Sequence, residues 1–222
     1  MTTTKSELPF DLRLLGPRAI LAVKALIWLL ALIPFARLVV GAVQGNLGAN
    51  PIETITRTTG WYALVMLCAT LTITPLRRLS QWAWLARLRR MLGLFTFFYA
   101  ALHFTTWVWF EHFFDLEEMW RDVLKRPFIT VGVIAFLLML PLALTSTNGM
   151  VRRLGGRTWR MLHRFVYLIA PLGVLHFWWM RAGKHNLNDP ASFALLVLIL
   201  LGARAWWRWG QDWFARLAVR SR

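Results

Sequence analysis

Residues 89–111 read Arg89-Arg90-Met91-Leu92-Gly93-Leu94-Phe95-Thr96-Phe97-Phe98-Tyr99-Ala100-Ala101-Leu102-His103-Phe104-Thr105-Thr106-Trp107-Val108-Trp109-Phe110-Glu111. His103 is the one acidic or basic side chain between Arg90 and Glu111. A bilayer core of about 30 Å takes roughly 17–25 apolar residues as a helix, because in lipid every backbone polar group must bond within its own segment. This stretch meets that length. An imidazole placed inside it is costly, so it invites a functional explanation.

Five further runs of the same kind lie at about 19–43, 59–75, 128–145, 162–180 and 191–208, which with 91–110 makes six spans. The breaks between them carry turn chemistry: Gly45-Asn46-Leu47-Gly48, Thr74-Pro75, Arg126-Pro127, Asn148-Gly149 with Gly155-Gly156, and Asn188-Asp189-Pro190. The first run is too long for the apolar core of a secretory signal and reads as a retained span. Composition agrees: of 222 residues, 58% are hydrophobic and only 16% charged, with 14 tryptophans. Soluble domains carry about 25% charged residues. A lone cysteine, Cys68, excludes an internal disulfide. The net charge of +16 would suggest nucleic acid in a soluble protein. Here the cations sit between apolar runs, so the partner they imply is the lipid bilayer and not nucleic acid.

Their placement predicts the topology. Segments 1–18, 76–90, 146–161 and 204–222 hold 17 Lys/Arg, against 6 in the alternating segments 44–58, 111–127 and 181–190. By the positive-inside rule both termini are cytoplasmic. The fold expected is an all-α membrane protein of six transmembrane helices, N-in and C-in. The tail, 209–222, is basic and amphipathic. With Arg204, Trp206, Trp207 and Arg208 just before it and Trp209 opening it, it reads as an interfacial anchor.

Depth separates the five histidines. His112, beside Glu111, and His185, in a short outer loop, read as solvated surface residues. His103 lies about 12 Å below Glu111 and His176 about 7 Å below Arg181, at 1.5 Å per residue. Both fall in the outer half of the bilayer, on different helices. Two axial imidazoles on one haem iron require that arrangement. His163 lies thirteen residues before His176, about 20 Å deeper and about 140° away around a straight helix. Pro171 and Gly173 between them offer a place for a corrective kink. Other readings stay open: an interhelical hydrogen-bond donor, or a histidine relay in a proton-coupled transporter. Zinc is poorly supported, since no acid or cysteine accompanies these histidines at ligand spacing.

Haem propionates would want cationic partners. Arg37, in the outer part of the first span, is the outer candidate. Arg77, Arg78, Arg89, Arg90 and Arg164 line the inner edge, where they also serve as topology determinants. Trp107, Trp109, Trp178 and Trp179 read as an outer aromatic belt.

The stretch 89–103, the stretch Trp159-Arg160-Met161-Leu162-His163 through His176-Phe177-Trp178-Trp179, and Thr74-Pro75-Leu76-Arg77 closely resemble the MsrQ (YedZ) family. The resemblance covers nearly the whole chain and extends to the ferric-reductase-like transmembrane group, which includes NADPH oxidases. It implies a single ferric-reductase-like transmembrane domain over 1–222, a haem-binding bundle in the bacterial inner membrane. It also implies a haem b cytochrome, with one haem or two, and FMN. The implied electron source is the quinone pool or a cytoplasmic flavin reductase. The implied acceptor is a periplasmic molybdoenzyme, MsrP, which reduces methionine sulfoxide. The family's haem-linked histidines fall on His103, His163 and His176. NADPH oxidases have two histidines on each of two helices. Here Arg90 and Arg89 stand thirteen and fourteen residues before His103, so an inner haem would lack its usual second imidazole. No Gly-rich dinucleotide motif is present. Two other activities fit less closely: a ferric or superoxide-producing reductase acting directly on a small acceptor, and the transporter.

Overall fold

The structure, a computed structural model, describes residues 15–183 and 187–210. His185 and the basic tail beyond 210 lie outside the described residues. Among the described residues there are eight α-helices and no strand. They are α1 (Pro17–Val43), α2 (Pro51–Ser80), α3 (Arg89–Thr106), α4 (Leu116–Lys125), α5 (Pro127–Leu144), α6 (Asn148–Leu162), α7 (Val166–Ala182) and α8 (Asn188–Ala205). Six stretches are long and apolar enough to cross a bilayer: α1, α2, α3 with its flanking turns, α5, α6 continuing into α7, and α8.

Local chemistry explains where these helices start. Proline opens α1, α2 and α5, where its missing N–H costs nothing and its fixed φ suits the first turn. The Asn50 side chain caps α2 by accepting from the Glu53 N–H at 3.2 Å. Thr147 caps α6 through the Met150 N–H at 3.2 Å. The α2 helix ends at Gln81, which turns left-handed with φ 62°.

Three expectations about boundaries are corrected. The second span is longer than the expected 59–75, because α2 runs 30 residues and passes straight through the expected break at Thr74-Pro75. Pro75 leaves the Leu71 carbonyl without its i+4 partner. An Arg204 guanidinium N–H from α8 donates to that carbonyl instead, so the helix continues. At Gly155 (φ 74°) the chain kinks, yet helical hydrogen bonding resumes on both sides, giving the amphipathic α6 where a loop was expected. A second amphipathic helix, α4, occupies the expected 111–127 loop, capped by Asp115.

Two helix pairs make the frame of the bundle: α2 packs along α3, and α5 along α7, with α3 also touching α5 and α8 closing against α2 and α7. The main core joins Leu64, Leu67, Cys68 and Leu71 of α2 to Ile169, Ala170 and Val174 of α7 and to Phe193, Val197 and Leu200 of α8. The α1 helix is peripheral. It is pinned where the buried Tyr99 hydroxyl donates to the Ala31 carbonyl at 2.6 Å, while Leu21, Leu26, Leu29, Leu30 and Ile33 stay exposed. An outward apolar surface of that extent is the face a membrane helix turns to lipid.

Candidate functional site

His103 on α3 and His176 on α7 come together at the end of the bundle where α2 and α5 begin and α3 and α7 finish. Their ring centroids are 5.9 Å apart, with planes at 76°. Each ring is held the same way by the partner helix of its own pair. The His103 Nδ1–H donates to the Thr56 carbonyl of α2 at 2.9 Å. The His176 Nδ1–H donates to the Phe128 carbonyl of α5 at 2.7 Å. Four residues beyond each carbonyl stands a glycine against the ring. A Cβ on Gly60 would lie 3.0 Å from His103 Nδ1 and Cε1, and one on Gly132 would lie 2.7 Å from His176 Nδ1. The missing side chains are what let the imidazoles lie on the neighbouring helix.

This bonding commits both Nδ1 atoms as donors and leaves each Nε2 with a free lone pair. The carbonyl also orients the ring and raises its basicity toward a metal. No group of three or more His, Cys, Asp or Glu among the described residues could enclose a metal ion. Two neutral imidazoles with free Nε2 lone pairs would suit a metal-bearing prosthetic group that needs only nitrogen ligands from the protein. Stacked Phe97, Phe136 and Phe104, with centroids 5.8 and 4.4 Å apart, line the α3–α5 contact with apolar surface.

His163 is not part of this pair. It stands in the tight turn between α6 and α7, stacked on Trp159 at 3.9 Å. Its Nδ1 bonds the Trp159 carbonyl at 3.0 Å, and Ser146 Oγ lies 3.4 Å from its Nε2. Arg89 and Arg90 act on it electrostatically from the first turn of α3. Their guanidinium groups bond Thr74 Oγ1 at 2.7 Å and Asn148 Oδ1 at 2.5 Å.

The other expected arginines are dispersed. Arg78 lies over the Trp207 ring at 5.3 Å, and Arg77 and Arg164 are exposed. Arg37 lines a recess of about 510 Å³ between α1 and α2, together with Arg57, Trp61 and Tyr62. Arg204, expected at the interface, instead turns into the bundle toward the Leu71 and Leu200 carbonyls.

His112 is a correction. It is 6% exposed, not solvated. Its Nε2–H donates to Asp122 Oδ2 at 3.0 Å, and its ring meets Trp107 edge-on at 5.0 Å. Trp107, expected in an aromatic belt, is 8% exposed and donates from Nε1 to the same Asp122 oxygen at 3.0 Å. Sequence reasoning also missed Gly60 and Gly132. Each is an isolated glycine inside a helical run, and its role shows only against the neighbouring helix.

The ferric reductase like transmembrane component matches residues 59–174. The chain is 61% identical over 194 residues to a protein-methionine-sulfoxide reductase heme-binding subunit MsrQ of Herminiimonas arsenicoxydans, covering 87% of this chain and 89% of that one. It is 55% identical over 196 residues to the MsrQ of Ralstonia nicotianae, covering 88% and 90%. The MsrQ of Polaromonas naphthalenivorans is 48% identical over 190 residues, covering 86% and 87%. No solved structure matches the chain. With six apolar helices, a transmembrane family match and relatives this similar along most of its length, the chain is a multi-pass membrane protein that belongs to the MsrQ family.

Proposed function

We propose that this chain is the haem b-binding membrane subunit of a methionine-sulfoxide reductase system, and that it carries electrons across the bacterial inner membrane to a periplasmic catalytic partner, MsrP. The observation that carries the reading is the pairing of His103 with His176, each fixed through Nδ1 to a carbonyl of a different helix. The haem, when bound, supplies one-electron redox chemistry. The chain's own part is ligation, orientation and exclusion of water. His103 and His176 would hold the haem iron through their Nε2 atoms. Thr56 and Phe128 hold those rings through their carbonyls, and Gly60 and Gly132 leave the room for them. Arg37 is the candidate partner for a propionate on the outer side.

We assign a single haem site to the paired imidazoles; among the described residues His163 stands apart from both of them, in the turn between α6 and α7. We assign His163 and Arg90, with Arg77, Arg78 and Arg164 at the same end, to the inner side where electrons enter. The donor there is the quinone pool or a cytoplasmic flavin reductase. The FMN implied by the family likeness belongs to that end, where its phosphate would meet cations.

The test is spectroscopic. The purified chain is expected to show a Soret band and split α/β bands after dithionite reduction. His103→Ala and His176→Ala each abolish those bands, and His163→Ala leaves them. A chain without a Soret band, or equal loss from all three variants, would overturn the assignment. Reoxidation of the reduced chain by MsrP with methionine sulfoxide, compared with ferric chelates and oxygen, separates this role from that of a direct ferric or superoxide-producing reductase.

A further inference from the structure

A second recess, of about 510 Å³, opens between α1 and the start of α3. On α1 its wall is a single stripe, Lys24, Trp28 and Leu32, at i, i+4 and i+8. Facing it are Arg87, in the turn before α3, and Arg90, followed along α3 by Leu94 and Phe98. Cations therefore gather at one end of the recess, and apolar and aromatic side chains line the rest.

The electrostatics need an answer. Lys24 lies about 10 Å along α1 from Pro17, at 1.5 Å per residue, in a mostly apolar span whose other cations, Arg18 and Arg37, stand near its two ends. An ammonium at that depth is costly unless it is paired. Its companions are two guanidinium groups, and no Asp or Glu lines the recess. Among the described residues no ion pair joins Lys24, Arg87 or Arg90 to an acid. Arg90 has one neutral partner, Asn148 Oδ1. Three like charges around one hollow repel each other and together attract an anion. The apolar part of the recess, Trp28, Leu32, Leu94 and Phe98, lies against the peripheral, largely exposed α1.

We propose that this recess binds an anionic phospholipid, with its phosphate between Lys24, Arg87 and Arg90 and an acyl chain along Trp28, Leu94 and Phe98. A free phosphate would satisfy the cations but not the apolar wall, and a zwitterionic lipid would satisfy the wall while bringing its own cation to a cationic site. Basic pockets between spans are the usual form of anionic headgroup recognition. The bound lipid acts as the missing counter-ion and fills the gap between α1 and the bundle.

The experiment uses the full chain in lipid nanodiscs and in mild detergent. Native mass spectrometry is expected to show phosphatidylglycerol retained at least fivefold more than phosphatidylcholine supplied at equal amount. The Lys24→Gln/Arg87→Gln double variant should lose that preference, and the charge-keeping Lys24→Arg/Arg87→Lys double variant should keep it. A hundredfold excess of inorganic phosphate should not displace the lipid. Equal retention of the two lipids by the wild-type chain would overturn the proposal, even if the Gln variant failed to fold. So would an unchanged preference in a folded Gln variant. Displacement by inorganic phosphate would show a soluble-anion site and overturn the lipid assignment.

Discussion

At the residue scale, the two glycines are the sharpest test of how the imidazoles are held. Gly132→Ala places a methyl 2.7 Å from His176 Nδ1, closer than a carbon can stand to a nitrogen, so the ring must leave its carbonyl. Gly60→Ala places one at 3.0 Å from His103, a milder clash. Both substitutions suit a helix by propensity, so local stability should not suffer. The expected outcome is a loss of haem retained after purification, severe for Gly132→Ala and partial for Gly60→Ala, read from the Soret band per mole of protein. Equal wild-type retention in both would mean that the rings bind without their carbonyl partners. His103 and His176 were legible in the sequence because a basic group in an apolar run stands out by itself. Gly60 and Gly132 were not. Their role depends on the register of α2 against α3 and of α5 against α7, which no local pattern encodes. His112 was misread for the complementary reason. Its neighbour in sequence is an acid, but the residues that bury it, Trp107 and Asp122, come from a turn above and from another helix.

At the scale of elements, two devices join helices that sequence reading had kept apart. The first is Asp122 on α4, 12% exposed, which receives hydrogen bonds from Trp107, His112 and Arg126 and so ties α4 to the end of α3. Burial alone would raise its carboxyl, but those bonds outweigh burial and hold it below the ordinary aspartate value. A depressed carboxyl contributes stability that is present above its unfolded value of about 3.9 and is lost as pH falls through the lower folded one. Thermal unfolding of the wild-type chain should weaken over that acid window. Asp122→Asn should lack this part of the pH dependence and be less stable at neutral pH by about 1–3 kcal/mol, because Arg126 and His112 lose a charged acceptor. A variant with the wild-type pH profile would show that the network is decorative.

The second device is the Pro75–Arg204 link. Arg204→Leu strands the Leu71 carbonyl that Pro75 cannot serve, at an expected cost of about 1–3 kcal/mol. Pro75→Ala restores an N–H at the i+4 position, so it should recover part of that loss in the double variant, and additive effects would contradict the link. Pro75 looked like a span boundary because its remedy comes from Arg204, 133 positions beyond the Leu71 carbonyl it serves. The amphipathic α4 and α6 were missed for a simpler reason. Neither is apolar enough to stand out between spans, and both are set by caps, Asp115 and Thr147.

At the scale of the molecule, function depends on which end of the bundle faces which compartment. The histidine pair sits at the end shared by the start of α2, the end of α3 and the acidic α4. His163, Arg89 and Arg90 mark the opposite end, with the Arg-rich α6. The charge bias of the loops predicts that the α4 end is periplasmic. In that orientation the paired imidazoles lie near the compartment of the proposed acceptor and the cation-rich end near the proposed donor, so the asymmetry of the bundle suits the proposed direction of electron flow. The prediction can be read without any cofactor. Cys68, the chain's single thiol, is buried, so an engineered cysteine gives a clean signal. A cysteine in place of the exposed Phe114, beside α4, should react with a membrane-impermeant maleimide in intact spheroplasts. One in place of the exposed Arg153, on α6, should react only after lysis. Reversed labelling would put the imidazole pair next to the cytoplasm. A soluble periplasmic acceptor would then face the cation-rich end, and outward electron transfer would have to cross the whole bundle after leaving the haem site.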